Sequence, residues 1–189
     1  MKKIFIVLVL QLLLYSNSFC QLIDKLDERN GFKTLKLGDD ISLFKDKIQF
    51  YDKNSEITKY QYIGLEPELK KLFDYSLSGL ILSFHNSTNK LVVIELINEY
   101  QFNEYSYDHY KKASEDFEKI NSNFSSLFGL PSPGKTEETS EKTVISAIWL
   151  SKKVLLKTSL IYYGLKKNSE ISTIIADIKS IMQKTDAGF

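Results

Sequence analysis

Across residues 106–128 the apolar side chains Tyr110, Ala113, Phe117, Ile120, Phe124 and Leu127 recur at alternating steps of three and four. That period draws one apolar stripe along a single long helix, and a helix with one stripe must lay it on a partner surface. Asp108 falls in the first turn, where the helix dipole favours an anion, while Gly129 and Pro131 supply the stop. The flanking sequence supplies the partner. Residues 77–84 and 91–97 are two β-rich runs around the polar segment His85 to Lys90, the pattern of a hairpin. Leu80, Leu82 and Phe84 share one face, and Val92, Ile94 and Leu96 share a face of the partner strand. Residues 144–150 and 154–163 form a second hairpin around Ser151 and Lys152, with Trp149 as a core residue.

The remaining segments are shorter. Residues 21–30 are polar and read as a loose lead-in. Phe32, Leu35 and Leu37 predict a strand ending at Gly38. Asp39 and Asp40 then offer an N-cap to a short helix carrying Ile41, Phe44 and Ile48. Residues 51–56 read as a polar loop, 57–63 as a strand, and 132–142 as a polar loop. Pro67 suits the first position of a helix carrying Leu69, Leu72 and Phe73. In the tail, Ile171, Ile174, Ile175, Ile178, Ile181 and Met182 fit a helix, whereas Ile171, Thr173 and Ile175 fit a strand; a strand running into a short helix accommodates both. Hairpins joined by helices predict an α+β fold, an antiparallel sheet with one long and one or two short helices packed on one face. No composition break divides residues 31–189, so they are expected to form a single domain.

The N-terminus sets the compartment. Lys2 and Lys3 precede an apolar run from Ile4 to Leu14, broken only by Gln11, and Tyr15, Ser16, Asn17 and Ser18 follow. Charge, apolar core and small-residue zone in that order are the grammar of a secretory leader over residues 1–20. The apolar run is short of the roughly 20 residues a spanning helix needs, which weighs against a retained anchor. Cleavage is expected between Cys20 and Gln21, with a cut after Ser18 as the alternative. Cys20 also admits lipid attachment, but Asn17 and Phe19 depart from the branched and small residues that lipidation reads. The expected product is exported, periplasmic or extracellular, with no membrane span once the leader is gone. Cys20 is the chain's single cysteine, so its loss leaves no disulfide, zinc knuckle or thiol nucleophile. The 169 residues after Cys20 are enough for a hydrophobic core.

Charge narrows the partners. The chain has 25 basic and 24 acidic residues; without Lys2 and Lys3 the balance is −1. Such a chain projects no field to gather nucleic acid or anionic lipid. Arg29 is the only arginine, so the planar fork that grips phosphate or carboxylate exists at one place.

The segment from Gly31 to Ile41 resembles the strand–glycine–helix opening of small exported β-lactamase-inhibitor-protein-like modules. The long helix, Phe128-Gly129-Leu130-Pro131 and the Trp149 hairpin are similar to the later part of secreted proteins of Bacteroidota, as is the Phe19-Cys20-Gln21 end of the leader. The resemblance covers most of the mature chain. It implies the fold and a cell-envelope address, and it carries no catalytic residues.

Gly129, Gly134, Lys135 and Thr136 satisfy the spacing of a phosphate-binding P-loop. The context opposes it. The first glycine follows a helix, Pro131 and Pro133 remove backbone donors, and Glu137, Glu138 and Glu141 would repel phosphate. No nucleotide is therefore expected. His85 falls at the first hairpin's turn and His109 at the start of the long helix; neither has metal-ligand spacing, and no cofactor is implied.

The most informative segment is 99–110. Tyr100, Phe102, Tyr105, Tyr107 and Tyr110 crowd a strand-to-helix connection, where polar residues are usual. Tyrosine is a stiff apolar plate with a polar tip, suited to protein contact, and equally able to seal the edge between sheet and helix. Three functions follow. A non-enzymatic envelope protein would bind another envelope protein through those aromatics. A hydrolase of envelope polymers would draw paired carboxylates, about 5–9 Å apart, from Glu99, Glu104 and Asp108. A small-ligand or lipid carrier would need a cavity between helix and sheet. The first is the leading expectation, because the second has no motif behind it.

Overall fold

The computed structural model describes residues 22–101, 107–132, 134–164 and 168–182. Residues 1–21, with the expected leader and the expected cleavage point at Cys20 and Gln21, lie outside the described residues. The described residues open with helix α1 (22–29), then β1 (Gly31–Phe32), β2 (Leu35–Lys36), β3 (Ile48–Lys53) and β4 (Ile57–Tyr62). It continues through β5 (Lys71–Leu72), β6 (Tyr75–Ser76), β7 (Gly79–His85) and β8 (Leu91–Gln101) to the long helix α2 (Tyr107–Phe128). Strands β9 (Thr136–Glu138), β10 (Lys142–Leu150), β11 (Val154–Tyr163) and β12 (Asn168–Asp177) and helix α3 (Ile178–Met182) complete it.

Eight strands form one antiparallel sheet in the order β3-β4-β7-β8-β12-β11-β10-β9. The fold is α+β, with one long and two short helices among the described residues. No helix among them is long and apolar enough to cross a membrane. The expected stripe of α2 is the stripe the fold uses: Ala113, Phe117, Ile120 and Phe124 are buried against the sheet. Leu80, Leu82, Phe84, Ile94, Leu96, Leu156, Leu160 and Ile171 meet them in one core with Trp149. Each such side chain contributes about 1.5–3 kcal/mol on leaving water. Gly129 ends α2 at φ 84, a left-handed conformation that suits glycine; its amide donates to Ser125 O at 2.9 Å. Its own carbonyl accepts the buried Trp149 Nε1–H at 2.7 Å, tying the helix end to β10.

Several expectations are corrected. Phe32, Leu35 and Leu37 do not lie on one strand: Lys33, at φ 54, turns the chain back, so β1 and β2 pair as a minimal hairpin. Asp40 does cap, accepting from Ser42 N at 3.0 Å, but it caps a single 3-10 turn (Ile41–Phe44), and Ile48 already belongs to β3. Residues 51–53, read as loop, continue β3, with a bulge that sets both Tyr51 and Asp52 against Lys59. Pro67 opens another 3-10 turn, after which Leu72 lies in the β5–β6 hairpin rather than on a helix. A second bulge opposes Phe84 to Leu91, so Leu91 replaces Val92 on the face of Ile94 and Leu96. The loop after α2 holds the edge strand β9. The tail is a strand followed by a short helix.

The lead-in is the largest correction. Residues 22–29 are helical, with Leu26 buried in the main core and Ile23 packed against it. Asn30, in the left-handed conformation at φ 44, ends this helix with its amide on Leu26 O at 3.0 Å. Asp27 then clamps α1 to the β10–β11 turn: its Oδ1 accepts from Ser151 Oγ at 2.5 Å, Lys153 N at 3.0 Å and Val154 N at 3.1 Å. Lys152 Nζ adds an ion pair to Asp24 at 3.6 Å. Burial alone would raise the Asp27 carboxyl pKa, but these donors together hold it below its ordinary 3.8. A depressed carboxyl stabilises the folded state above its ordinary pKa, and that contribution is lost as pH falls through the folded value. Asp27→Ala should therefore cost about 1–2 kcal/mol near pH 7, as for other capping carboxylates. The difference from the wild type should shrink below pH 3.8, measured by urea unfolding at both pH values.

Candidate functional site

Along its middle turns α2 leaves no room over the sheet, with Ala113 and Ile120 fully buried. Its last turn is different. There Phe124, Leu127 and Phe128 face α1, the β1–β2 hairpin and the β5–β6 hairpin across a crevice of about 420 Å³. Leu26 and Phe32 wall it on one side, Leu72 and Phe73 on the other, and Leu156 and Ile175 of the sheet form its floor. Ligand clefts commonly run from about 300 to 1,000 Å³ and are lined in this apolar and aromatic way.

Both lips of the crevice rest on unusual backbone. Lys33 turns the β1–β2 hairpin at φ 54 and Phe73 turns the β5–β6 hairpin at φ 53. Left-handed backbone costs a residue with a Cβ about 1–2 kcal/mol, and such strain persists where the surroundings impose it. Here they do. The Phe73 ring meets Phe124 edge-on with centroids 5.0 Å apart. The Lys33 ammonium bridges the two hairpins by donating to Glu68 O and, at 2.6 Å, to Lys71 O.

The rim is cationic. Arg29, Lys33 and Lys36 line the crevice, and no acidic side chain does. The Arg29 guanidinium lies over the Phe128 ring, 5.6 Å from its centroid. Lys36 Nζ donates to Arg29 O at 2.7 Å. Among the described residues, none of the three cations pairs with a carboxylate. Arg29 stands out in the sequence as the chain's single arginine, but its polar neighbours read as a loose lead-in. The spacing of Leu22, Ile23, Leu26 and Arg29 was the available signal, one apolar face with a cation at its end.

The aromatic segment divides. Tyr100 is half-buried on the helix side of β8, and its hydroxyl donates to Asp116 Oδ2 at 3.1 Å. Burial, then the Asp116 charge, raises its phenol pKa well above the ordinary range. Tyr110 packs on Tyr162 with ring centroids 5.3 Å apart. These two rings seal sheet to helix. Phe102, Tyr105 and Glu104 lie outside the described residues, as do the side chains of Tyr107, Asp108 and His109.

Glu99 is exposed on the opposite face of the sheet, directly across from Glu170, with Glu95 four residues back on the same strand. Among the described residues no group of carboxylates or histidines is arranged to hold a metal ion. His85 Nδ1 lies 3.0 Å from Ser87 Oγ at the hairpin turn, on a broader polar groove bordered by Lys90, Lys153, Lys179 and Asp177. The P-loop spacing has a structural origin. Gly129 ends a helix, strand β9 follows where a P-loop needs a helix, and Gly134 lies so close to β10 that a Cβ would be 1.3 Å from Ser146 O.

No protein-family model, curated protein or solved structure matches the chain.

The carboxylates on the outer face make a pH prediction. Burial first, and then the charges of Glu95 and Glu99, raise the Glu170 carboxyl above its ordinary 4.5. A raised carboxyl weakens the fold as pH rises through its folded value and imposes no penalty below the unfolded one. Glu170→Gln should therefore raise the Tm at pH 7, with the gain vanishing at pH 4, in paired thermal unfolding curves.

Proposed function

We propose that the protein is a non-enzymatic binding protein of the cell envelope, and that it holds a small molecule with an apolar chain in the crevice at the end of α2. The observation that carries this reading is the 420 Å³ crevice walled by Leu26, Phe32, Leu72, Phe73, Leu127 and Phe128. A closed core would have collapsed such a space, since interiors pack as densely as organic crystals. Two left-handed turns form its lips, and the Lys33 bridge fixes them relative to one another. The leader over residues 1–20 supports an envelope address.

Among the three functions open from sequence, the crevice favours the carrier. The protein-binding reading rests on Phe102, Tyr105 and Tyr107 after Tyr100 and Tyr110 are assigned to packing. The hydrolase reading has one of its carboxylates, Glu99, exposed on the face away from the crevice.

The test uses protein recovered from the envelope fraction of producing cells, whose intact mass should match a chain beginning at Gln21. Titration with the neutral fluorescent probe N-phenyl-1-naphthylamine should give saturable enhancement at one site per chain. Leu127→Trp, which fills the crevice from a partly exposed position, should abolish that enhancement and leave the far-ultraviolet circular dichroism unchanged. Enhancement of equal size in wild type and variant would contradict the reading.

A further inference from the structure

We infer that the crevice selects a single-chain carboxylic acid, whose chain lies on the Phe32–Phe128 wall and whose carboxylate is gripped by Arg29. The inference rests on the carrier reading above and adds the chemistry of the head group.

Charge complementarity carries it. The crevice is lined by apolar side chains and by three cations, with no acid among the lining residues. An uncharged apolar ligand would gain nothing from that rim, whereas an anionic head would meet positive charge where the apolar chain ends. The three cations are not equivalent. Lys33 spends donors on Glu68 O and Lys71 O, which fixes it as the tie between the two hairpins. Lys36 spends one on Arg29 O. Arg29 makes a ring contact with Phe128 and has no carboxylate or carbonyl partner for its guanidinium among the described residues.

That arrangement leaves one planar fork at the mouth whose N–H groups have no carboxylate or carbonyl partner among the described residues, already placed over the Phe128 ring. A guanidinium fork matches one carboxylate through two parallel hydrogen bonds, and charge-assisted pairs of this kind are the strong ones. Lys36, bonded to the Arg29 carbonyl, adds positive potential beside the head without competing for its geometry. Volume limits the rest: 420 Å³ is at the small end of ligand clefts and suits one chain rather than two. The clamp of Asp27 on the β10–β11 turn matters here too, because it fixes the helix that presents Arg29.

Isothermal titration calorimetry of the purified protein with dodecanoate, dodecan-1-ol and dodecyl phosphate tests the assignment. Dodecanoate should bind about tenfold or more tightly than dodecan-1-ol, the discrimination a charge-assisted hydrogen bond supplies. Arg29→Gln should bring dodecanoate down to the level of the alcohol and leave the alcohol's affinity unchanged. Arg29→Lys should recover only part of the preference, because it restores charge without the fork. Equal affinity of wild type for acid and alcohol overturns the head-group assignment and leaves the apolar crevice standing. Binding of none of the three overturns both. Tighter binding of dodecyl phosphate than of dodecanoate overturns the carboxylate. Should Arg29→Gln fail to fold by circular dichroism, the wild-type comparison of acid with alcohol decides the matter alone.

Discussion

The pairing of β12 with β8 is the contact on which the rest of the molecule depends. Nine register pairs join residues 93–101 to residues 168–176, and they unite two halves that would otherwise be separate antiparallel meanders. The pairing is distant in sequence, so its loop-closure cost precedes any return from burial. The return is large: Ile94, Leu96, Ile171 and Ile175 meet on the inner face under α2, with little or no exposure. The same face carries Asn98, Ser169 and Thr173, buried polar residues, and Thr158, whose hydroxyl donates to Asn121 of α2 at 2.5 Å. Once α2 is fixed across β11 and β12, its last turn is tied to β10 through Trp149 and otherwise faces α1 and the two short hairpins across the crevice. The crevice forms at that junction because these elements are too small to cover an aromatic helix end completely.

What the sequence disclosed follows from how many residues repeat a period. The α2 stripe runs through six positions and both main hairpins through seven or more residues per strand, so period alone identified them. The parts that form the crevice are shorter than a period. A hairpin of two-residue strands, such as Gly31–Phe32 with Leu35–Lys36, shows no alternation, and its turn depends on left-handed Lys33, a residue that does not announce that conformation. Phe73 is the same case. Helix α1 was hidden by its polar composition; five of its eight residues are charged, and its docking comes from Leu26 and the Asp27 clamp rather than from a full apolar face.

The candidate site was legible only as a negative. Composition located one arginine in the chain, but nothing linear placed it over Phe128, nearly a hundred residues later. Conversely, the aromatic segment that stood out in the sequence supplies two rings to the seal between sheet and helix, Tyr100 of β8 on Asp116 of α2 and Tyr110 of α2 on Tyr162 of β11. The candidate site is assembled from unremarkable residues of two helices, two short hairpins and the sheet floor, with left-handed turns at its lips and no acid among its lining residues.

The most direct test of this account is a 15N–1H NMR titration of the protein with dodecanoate, read residue by residue. The account expects the largest amide shifts at Leu26, Arg29, Phe32, Phe73 and Leu127, with the outer face around Glu95, Glu99 and Glu170 unmoved. Shifts centred on that outer face, or spread evenly over the sheet with the crevice residues silent, would contradict it.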